Sequence, residues 1–154
     1  MASGKWHDRS ILISAPFIGG GCLYLFHNWA AALILTSSHL IGGWYLSPDL
    51  DLKSRPYYRW GVMKTIWHPY QKLIPHRGRF FHRNPLSHAP IVGSALRVGY
   101  LLLSCSILAF LPWFNFWAVC AWVVKNQMPI YLVFAGIEIS ALVHLLMDIA
   151  NTKN

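Results

Sequence analysis

The sequence predicts an all-α integral membrane protein with about four transmembrane helices, a cytoplasmic His- and Arg-rich loop and a short interfacial aromatic segment. Hydrophobic residues make up 55% of the 154 residues and charged residues only 12%, which is unlike a soluble domain of this size. Arg9 and Asp49 enclose 39 residues without a charged side chain, and Arg97 and Lys125 enclose 27, against roughly 20 needed to cross a bilayer. Nine of the thirteen Lys and Arg residues lie between Lys53 and Arg97, as expected of a cytoplasmic loop.

The elements follow in order within a single domain, 1–154. The predicted spans are about 10–26, 28–46, 90–111 and 129–147, and a polar loop occupies 47–89. His27 and Asn28 are the most polar point between the first two spans, so we expect a tight helical hairpin there. The aromatic residues of 113–127 form a segment too short for a comfortable span, which we place at the far interface. A true span over 113–124 would reverse the side on which the C-terminus lies.

Charge and cysteine content exclude other classes of protein. The net charge of +8 is concentrated beside predicted spans rather than in a separate basic domain, so we expect a lipid bilayer as partner and no nucleic acid. Cys22, Cys105 and Cys120 lie in apolar runs without CxxC spacing, which indicates neither a disulfide framework nor a thiolate metal site. The predicted location is the inner membrane of a bacterium or an equivalent membrane, with the polar loop in the cytoplasm.

The few carboxylates of this chain occur close to histidines or to each other. In the four-span arrangement these groups gather at one face of the membrane, where ionisable side chains are costly and usually mark sites or paired networks. Imidazole nitrogens and carboxylate oxygens are ligands for zinc, manganese and iron. The sequence therefore predicts a divalent metal site, with zinc first and manganese or iron as alternatives. The candidate ligands are His7, Asp8, His39, Asp49, Asp51, His82, His88, His144 and Asp148.

Local spacing supports parts of this set. His144 and Asp148 are four residues apart and share one face of a helix, whereas Asp49 and Asp51 point the same way if the turn after Pro48 is extended. Glu138 lies mid-span and off the helical face of His144, so we expect a hydrogen-bonded packing group there rather than a ligand.

Several motifs resemble a membrane family of uncharacterised metal-binding proteins. They are Ser47-Pro48-Asp49-Leu50-Asp51, Tyr58-Arg59-Trp60-Gly61, Trp67-His68-Pro69-Tyr70-Gln71-Lys72 and His82-Arg83-Asn84-Pro85-Leu86-Ser87-His88, with Gly4 to Arg9 and Gly93 to Arg97 also fitting. Their order and spacing match across most of the chain. The pattern is more loosely similar to the LexA-regulated inner-membrane metal-dependent hydrolases.

The resemblance implies that the nine candidate residues are ligands or lie next to ligands. One feature departs from the family pattern, because Pro75-His76-Arg77 repeats the His-Arg pair found at His82-Arg83. We favour His82 because its distance to Ser87-His88 fits, and we keep His76 as the second choice of ligand.

As an enzyme, the chain is expected to hydrolyse a phosphoester or other anionic substrate at the cytoplasmic membrane face. One or two metal ions would activate water, with Asp51 or Asp8 as the candidate general base. The candidate substrate-binding residues are Arg77, Arg83 and Arg97, since guanidinium groups match phosphate. We interpret Ser87 as a supporting group, because adjacent side chains such as Ser87 and His88 seldom meet in the geometry of a nucleophile and base.

Two alternatives to an enzyme remain open. In the first, the chain is a non-catalytic membrane protein whose His/Asp site has a structural or assembly role. The protein ligands should then fill every coordination position of the metal. In the second, the chain transports metal. Transport requires polar residues that continue through the bilayer, and only His27, His39 and Glu138 offer this, so transport is the less favoured of the two.

Overall fold

The structure is a computed structural model that describes residues 4–74, 84–111 and 114–151, and all regular structure in these ranges is helical. The α-helices are α1 (Gly4–Phe26), α2 (Trp29–Tyr45), α3 (Arg55–Arg59), α4 (Trp67–Leu73), α5 (Pro85–His88), α6 (Val92–Cys105), α7 (Phe116–Lys125) and α8 (Gln127–Ala150). Short 3-10 segments occupy Pro48–Asp51, Gly61–Ile66 and Ser106–Phe110. The all-α fold class is confirmed.

The first two helices form the predicted tight hairpin. His27 turns the chain with a φ of 48°, and Asn28 caps α2, since its Oδ1 accepts a hydrogen bond of 3.0 Å from the Ala31 amide. An asparagine at this position satisfies one of the amides that a helix start leaves without a partner. Helices α1 and α2 therefore run antiparallel.

Helix α8 packs against α2 at unusually short range. A Cβ added at Gly136 would lie 2.6 Å from the Leu35 carbonyl oxygen, and one added at Gly42 would lie 2.8 Å from the Ile137 Cα. Small residues allow this close approach of two backbones, as they do between membrane helices. Leu35 contacts Gly136, and Gly42, later in α2, contacts Ile137, later in α8. The two helices therefore run parallel. The N-terminal end of α1 thus meets the C-terminal ends of α2 and α8.

The polar loop caps this end of the three-helix core. Arg59 and Trp60 donate hydrogen bonds to the last carbonyls of α2, at 3.2 Å to Trp44 and 2.9 Å to Tyr45. Gln71 ties α4 to the preceding turn by donating to the carbonyls of Leu50 and Leu52. Beneath it lies an apolar cluster that includes Leu46, Leu50, Tyr57, Trp67, Tyr70, Ile74 and Ile137. Over its described part, the loop therefore consists of short helical segments packed on the core.

The prediction of four spans is not confirmed. Among the described residues, α1 and α8 are long and apolar enough to cross a membrane, whereas α2 has 17 residues. Over 90–111 helix α6 has 14 residues and gives way to the 3-10 segment Ser106–Phe110. At 1.5 Å per residue, α6 is about 21 Å long, which is short of the roughly 30 Å hydrocarbon core. Helix α7 has only 10 residues, in agreement with a short segment that does not cross.

The close packing of α2 and α8 makes Gly136→Ala a sharp test of the core. The added methyl group has no space beside the Leu35 carbonyl, so we expect a loss of about 1–3 kcal/mol in the free energy of unfolding. Gly20→Ala is the matched control, because a Cβ at Gly20 meets no described atom within 4 Å. Its free energy of unfolding should stay the same or rise by up to about 1 kcal/mol, since alanine is more favourable than glycine within a helix. Thermal unfolding of the purified variants measures both effects. Equal stability of the two variants would contradict this packing.

Candidate metal centre

Five of the nine predicted ligands converge where the N-terminal end of α1 meets the C-terminal ends of α2 and α8. His7 comes from the second turn of α1, and Asp49 from the 3-10 turn that follows α2. His144 and Asp148 occupy the last two turns of α8, while His88 ends the short helix α5. Four separate stretches of the chain thus contribute one cluster of donor atoms.

The donor atoms lie within a few ångströms of one another. His144 Nε2 is 3.4 Å from Asp49 Oδ1 and 3.6 Å from Asp148 Oδ2. His7 Nε2 is 3.3 Å from Asp148 Oδ1, and His88 Nε2 is 3.6 Å from Asp49 Oδ1. Two overlapping sets, one of His7, Asp49 and His144 and the other of His88, His144 and Asp148, each hold their donor atoms within 4.8 Å. This is the spacing of groups that share one ion.

A hydrogen-bond chain orients the His88 ring towards the cluster. Ser87 Oγ donates to Asp51 Oδ2 at 2.6 Å and lies 2.8 Å from His88 Nδ1. An ionised carboxylate can only accept, so the Ser87 proton points to Asp51 and Ser87 Oγ accepts the His88 Nδ1 proton. The Nε2 atom of a neutral His88 then presents a lone pair to the cluster, as metal-ligating imidazoles do.

The charge state of Asp49 suits a cation. Burial disfavours its charged form, but the contacts with His144 and His88 outweigh this and hold the pKa of Asp49 well below its usual range. Asp49 is therefore ionised at neutral pH. The rings of His7 and His144 are stacked at 3.8 Å between centroids, so charging both rings would place two cations face to face.

The chemistry of the donor set fits a divalent ion. The atoms Asp49 Oδ1, His88 Nε2 and His144 Nε2 are buried and form no hydrogen bond with the described residues. Buried polar atoms are normally hydrogen-bonded, and buried charges are paired or bind metals. Three imidazole nitrogens and two carboxylates could hold one first-row cation and balance its charge.

Two other predicted ligands lie apart from the cluster. Asp8 Oδ2 contacts Arg59 Nη2 at 2.5 Å and Arg55 Nη1 at 3.1 Å, because the residue after His7 falls about 100° around helix α1. His39 is fully buried in α2, where its Nε2 lies 2.8 Å from Ser14 Oγ. The structure brings neither residue together with the five donors.

Asp51 lies beside the cluster rather than in it. Asp51 is 2% exposed, and its Oδ2 accepts the hydrogen bond of Ser87 Oγ, which in turn lies next to His88 Nδ1. Ser87 and His88 are in contact although they are adjacent, but Ser87 Oγ donates to Asp51 and accepts from His88 Nδ1, which is not the arrangement of a nucleophile and its base. Asp51 therefore holds Ser87, and Ser87 in turn positions the donor His88.

Of the predicted substrate-binding and loop residues, Arg97 lies within the described ranges. Arg77, Arg83, His76 and His82 lie outside the described residues. Arg97 is fully buried, and its guanidinium donates to the Ser87 carbonyl at 2.5 Å and to Ser94 Oγ at 3.0 Å. The structure does not support Arg97 as a substrate-binding residue, because its guanidinium is buried against α5.

Glu138 has the packing role that its position predicted. Its Oε1 accepts a hydrogen bond of 2.8 Å from the amide of Ile91, which has a φ of 64°. A non-glycine residue with positive φ is strained and needs support from its surroundings. Glu138 thus anchors the start of α6 to α8.

Sequence reasoning missed Ser47 as part of the centre. Ser47 Oγ lies 3.4 Å from His144 Nδ1 and caps the 3-10 turn that carries Asp49. Ser before Pro-Asp is a recognisable turn start, which is the signal that could have indicated it. Its contact with a residue so distant in sequence could be found only from the fold.

The comparisons with known proteins point to metal binding. The model of the family described as "Uncharacterized metal-binding protein (DUF2227)" matches residues 2–154. A protein of Aquifex aeolicus (strain VF5), described as an uncharacterized protein, is 38% identical over 64 residues, which are 41% of this chain and 40% of that protein. The chain thus matches less than half of that relative's length. No solved structure matches the chain.

The Ser87 contact yields a test of the donor geometry. Ser87→Ala removes the acceptor of the His88 Nδ1 proton, so we expect the affinity for a divalent cation to fall by about 10- to 100-fold. Asp51→Asn still offers an acceptor to Ser87 and should lose less. Titration of metal-free protein with Zn²⁺ or Mn²⁺ measures both affinities.

Ser37→Ala is the matched control, because Ser37 is exposed and bonds only to carbonyls of its own helix. Parent-like affinity of Ser87→Ala would show that His88 is not oriented in this way.

Proposed function

The chain belongs to the family of metal-binding proteins whose model it matches, and on this premise we propose that it is a membrane protein with a divalent metal centre that hydrolyses an anionic ester. The proposed ligands are His7, Asp49, His88, His144 and Asp148. The active face is proposed to lie at the cytoplasmic end of α1 and α8, where the basic loop covers the core.

The convergence of unsatisfied donor atoms carries the metal-binding part of this proposal. Asp49 Oδ1 faces both His88 Nε2 and His144 Nε2 at 3.4–3.6 Å without a hydrogen bond to either. A cation between these atoms would compensate the cost of burying them. The carboxylates of Asp49 and Asp148 together match the charge of a divalent ion.

The outer surfaces of α1 and α8 support the membrane location. The most apolar 18-residue windows of the two helices are only 17% and 28% buried within the chain. Large side chains such as Phe17, Tyr24 and Leu25 on α1 and Tyr131 and Leu146 on α8 are exposed. Soluble proteins seldom expose apolar surface of this extent, whereas lipid tails cover it.

The number of donors bears on the identity of the metal. Zinc in proteins is mostly four-coordinate, and a catalytic zinc usually has three protein ligands. The five donors exceed what a four-coordinate zinc needs, which would also allow manganese or iron. Zinc remains the prediction from the sequence, and three of the donors would then hold it with a position left for water.

Hydrolysis is the reaction that this donor set favours. A divalent cation supplies Lewis acidity and activates water when it is bound between such ligands. The Asp49 side chain is 17% exposed while the other donors are nearly buried, so a substrate would approach from the Asp49 side. The looser likeness to LexA-regulated inner-membrane hydrolases supports this reaction by analogy only.

The chain's own residues would position the centre in this reaction. Ser87 and Asp51 hold His88, and Arg97 holds the Ser87 carbonyl, so α5 is fixed against the donors. Asp51 is separated from the donors by Ser87, which favours a positioning role over the general-base role. Binding of the substrate by Arg77 and Arg83 stays a prediction.

Metal content is the primary test. We expect about one equivalent of zinc, manganese or iron in purified full-length protein, and its loss in Asp49→Asn and in His144→Gln, because each variant removes a donor of the centre. His27→Asn is the matched control, since His27 lies at the opposite end of α1 and asparagine tolerates its positive φ. Elemental analysis of folded samples gives the result. A metal-free parent after reconstitution with all three metals would overturn the proposal.

Hydrolysis is tested separately from binding. Metal-loaded protein should cleave generic phosphomonoester and phosphodiester substrates, and Asp49→Asn should lose the activity together with the metal. Asp8→Asn should keep both, because Asp8 faces Arg55 and Arg59.

The structural alternative predicts another outcome. Full metal content and a large loss of thermal stability on chelation, without hydrolysis of any substrate, would favour a metal that only fastens the loop to the helix ends.

A further inference from the structure

A basic pocket lies beside the start of α1, on the face away from the metal centre. It has a volume of about 460 Å³ and is lined by Lys5, Trp6, Arg9 and Arg55. Lys5 and Arg9 are four residues apart and share a helical face, whereas His7 is buried on the other side. The pocket is therefore distinct from the donor cluster.

The charge of this pocket is only partly neutralised by the described residues. Asp8 is the neighbouring carboxylate, and it contacts two guanidinium groups, those of Arg55 and Arg59. Within the described ranges, no carboxylate forms an ion pair with Lys5 or Arg9. The Arg9 guanidinium is instead placed over the Trp6 ring, at 5.3 Å from its centroid. The three cations that line the pocket, Lys5, Arg9 and Arg55, are suited to bind a phosphate.

An apolar groove continues from the same two side chains. Trp6 and Arg9 also line a second hollow of about 430 Å³, which follows α1 past Ile13 to Phe17 and is closed on one side by Met147 of α8. From Trp6 to Phe17 a helix rises about 16 Å, which is close to half of the roughly 30 Å hydrocarbon core. The groove is thus about as long as one leaflet of the hydrocarbon core is thick.

We propose that these two hollows together bind an anionic phospholipid, with the phosphate between Lys5, Arg9 and Arg55 and one acyl chain along α1 to Phe17. A basic end joined to an apolar groove is complementary to an amphiphile and not to a free anion alone. The proposal rests on the membrane location proposed above but not on the metal centre. It adds a second binding site, on the outer face of the helix that carries His7.

Native mass spectrometry of the full-length protein in detergent provides the test. Dioleoyl phosphatidylglycerol is compared with dioleoyl phosphatidylcholine, which has the same chains without net charge, and with glycerol phosphate, which has no chains. Since each basic residue near an anionic surface contributes roughly fivefold, Lys5→Gln/Arg9→Gln should weaken phosphatidylglycerol binding by about 25-fold. Phe17→Ala should weaken binding of the lipid and leave the low affinity for glycerol phosphate unchanged.

Matched controls are Lys125→Gln, an exposed cation on α7, and Leu25→Ala, an exposed apolar residue at the far end of α1. Both should bind phosphatidylglycerol like the parent. Thermal unfolding of the same samples reports folding, and their metal content separates this proposal from the metal centre. If the double variant does not fold, the single variants Lys5→Gln and Arg9→Gln are compared instead, with about fivefold expected for each.

Three results would overturn the proposal. These are equal binding of the two lipids, parent-like binding by the folded basic-pocket variants, and binding of glycerol phosphate as tight as that of the lipid. The last result would identify a site for a free phosphate group. Selective binding of phosphatidylglycerol that the double variant loses while it keeps its metal would establish the lipid site.

Discussion

The structure depends on bringing ionised carboxylates and imidazoles together at the buried end of three helices. Asp49, Asp148 and Asp51 lie within one small region, and each would be costly to bury alone. The geometry resolves this cost by surrounding the carboxylates with His7, His88 and His144. The close packing of α2 on α8 and the antiparallel course of α1 are what place these groups at one level. Weakening that packing would therefore affect the charged cluster as well as the apolar core.

The sequence predicted those site residues whose positions follow from local geometry. His144 and Asp148 are one helical turn apart, and Asp49 follows directly from the proline turn after α2, so their roles as neighbours could be deduced. The choice between His7 and Asp8 depends on the rotation of α1, which a sequence without a clear apolar stripe does not define. Arg97 shows the same limit, because burial beneath α5 depends on contacts between distant segments.

The fold was predicted in class and in its first hairpin but not in its number of long helices. An uncharged run of 27 residues between Arg97 and Lys125 suggested a third full span, yet it folds as α6, a 3-10 segment and α7. Hydropathy reports how apolar a segment is but not where its helix ends. Here α6 is fixed near its start by Glu138 and by the contact of Arg97 with Ser87, and it gives way to a 3-10 segment at Ser106, so contacts between distant segments decide where this helix lies.

The positions of the donors along the chain have a consequence for assembly. His7 is synthesised well before Asp148, and 140 residues lie between them in the sequence. During synthesis, the first hairpin can form long before α8 leaves the ribosome, but it holds only part of the donor set. A complete centre therefore requires α8, and a product that ends before α8 would lack His144 and Asp148. Metal capture by the full donor set would in this way follow the synthesis of α8 and would distinguish chains that contain this helix from chains that lack it.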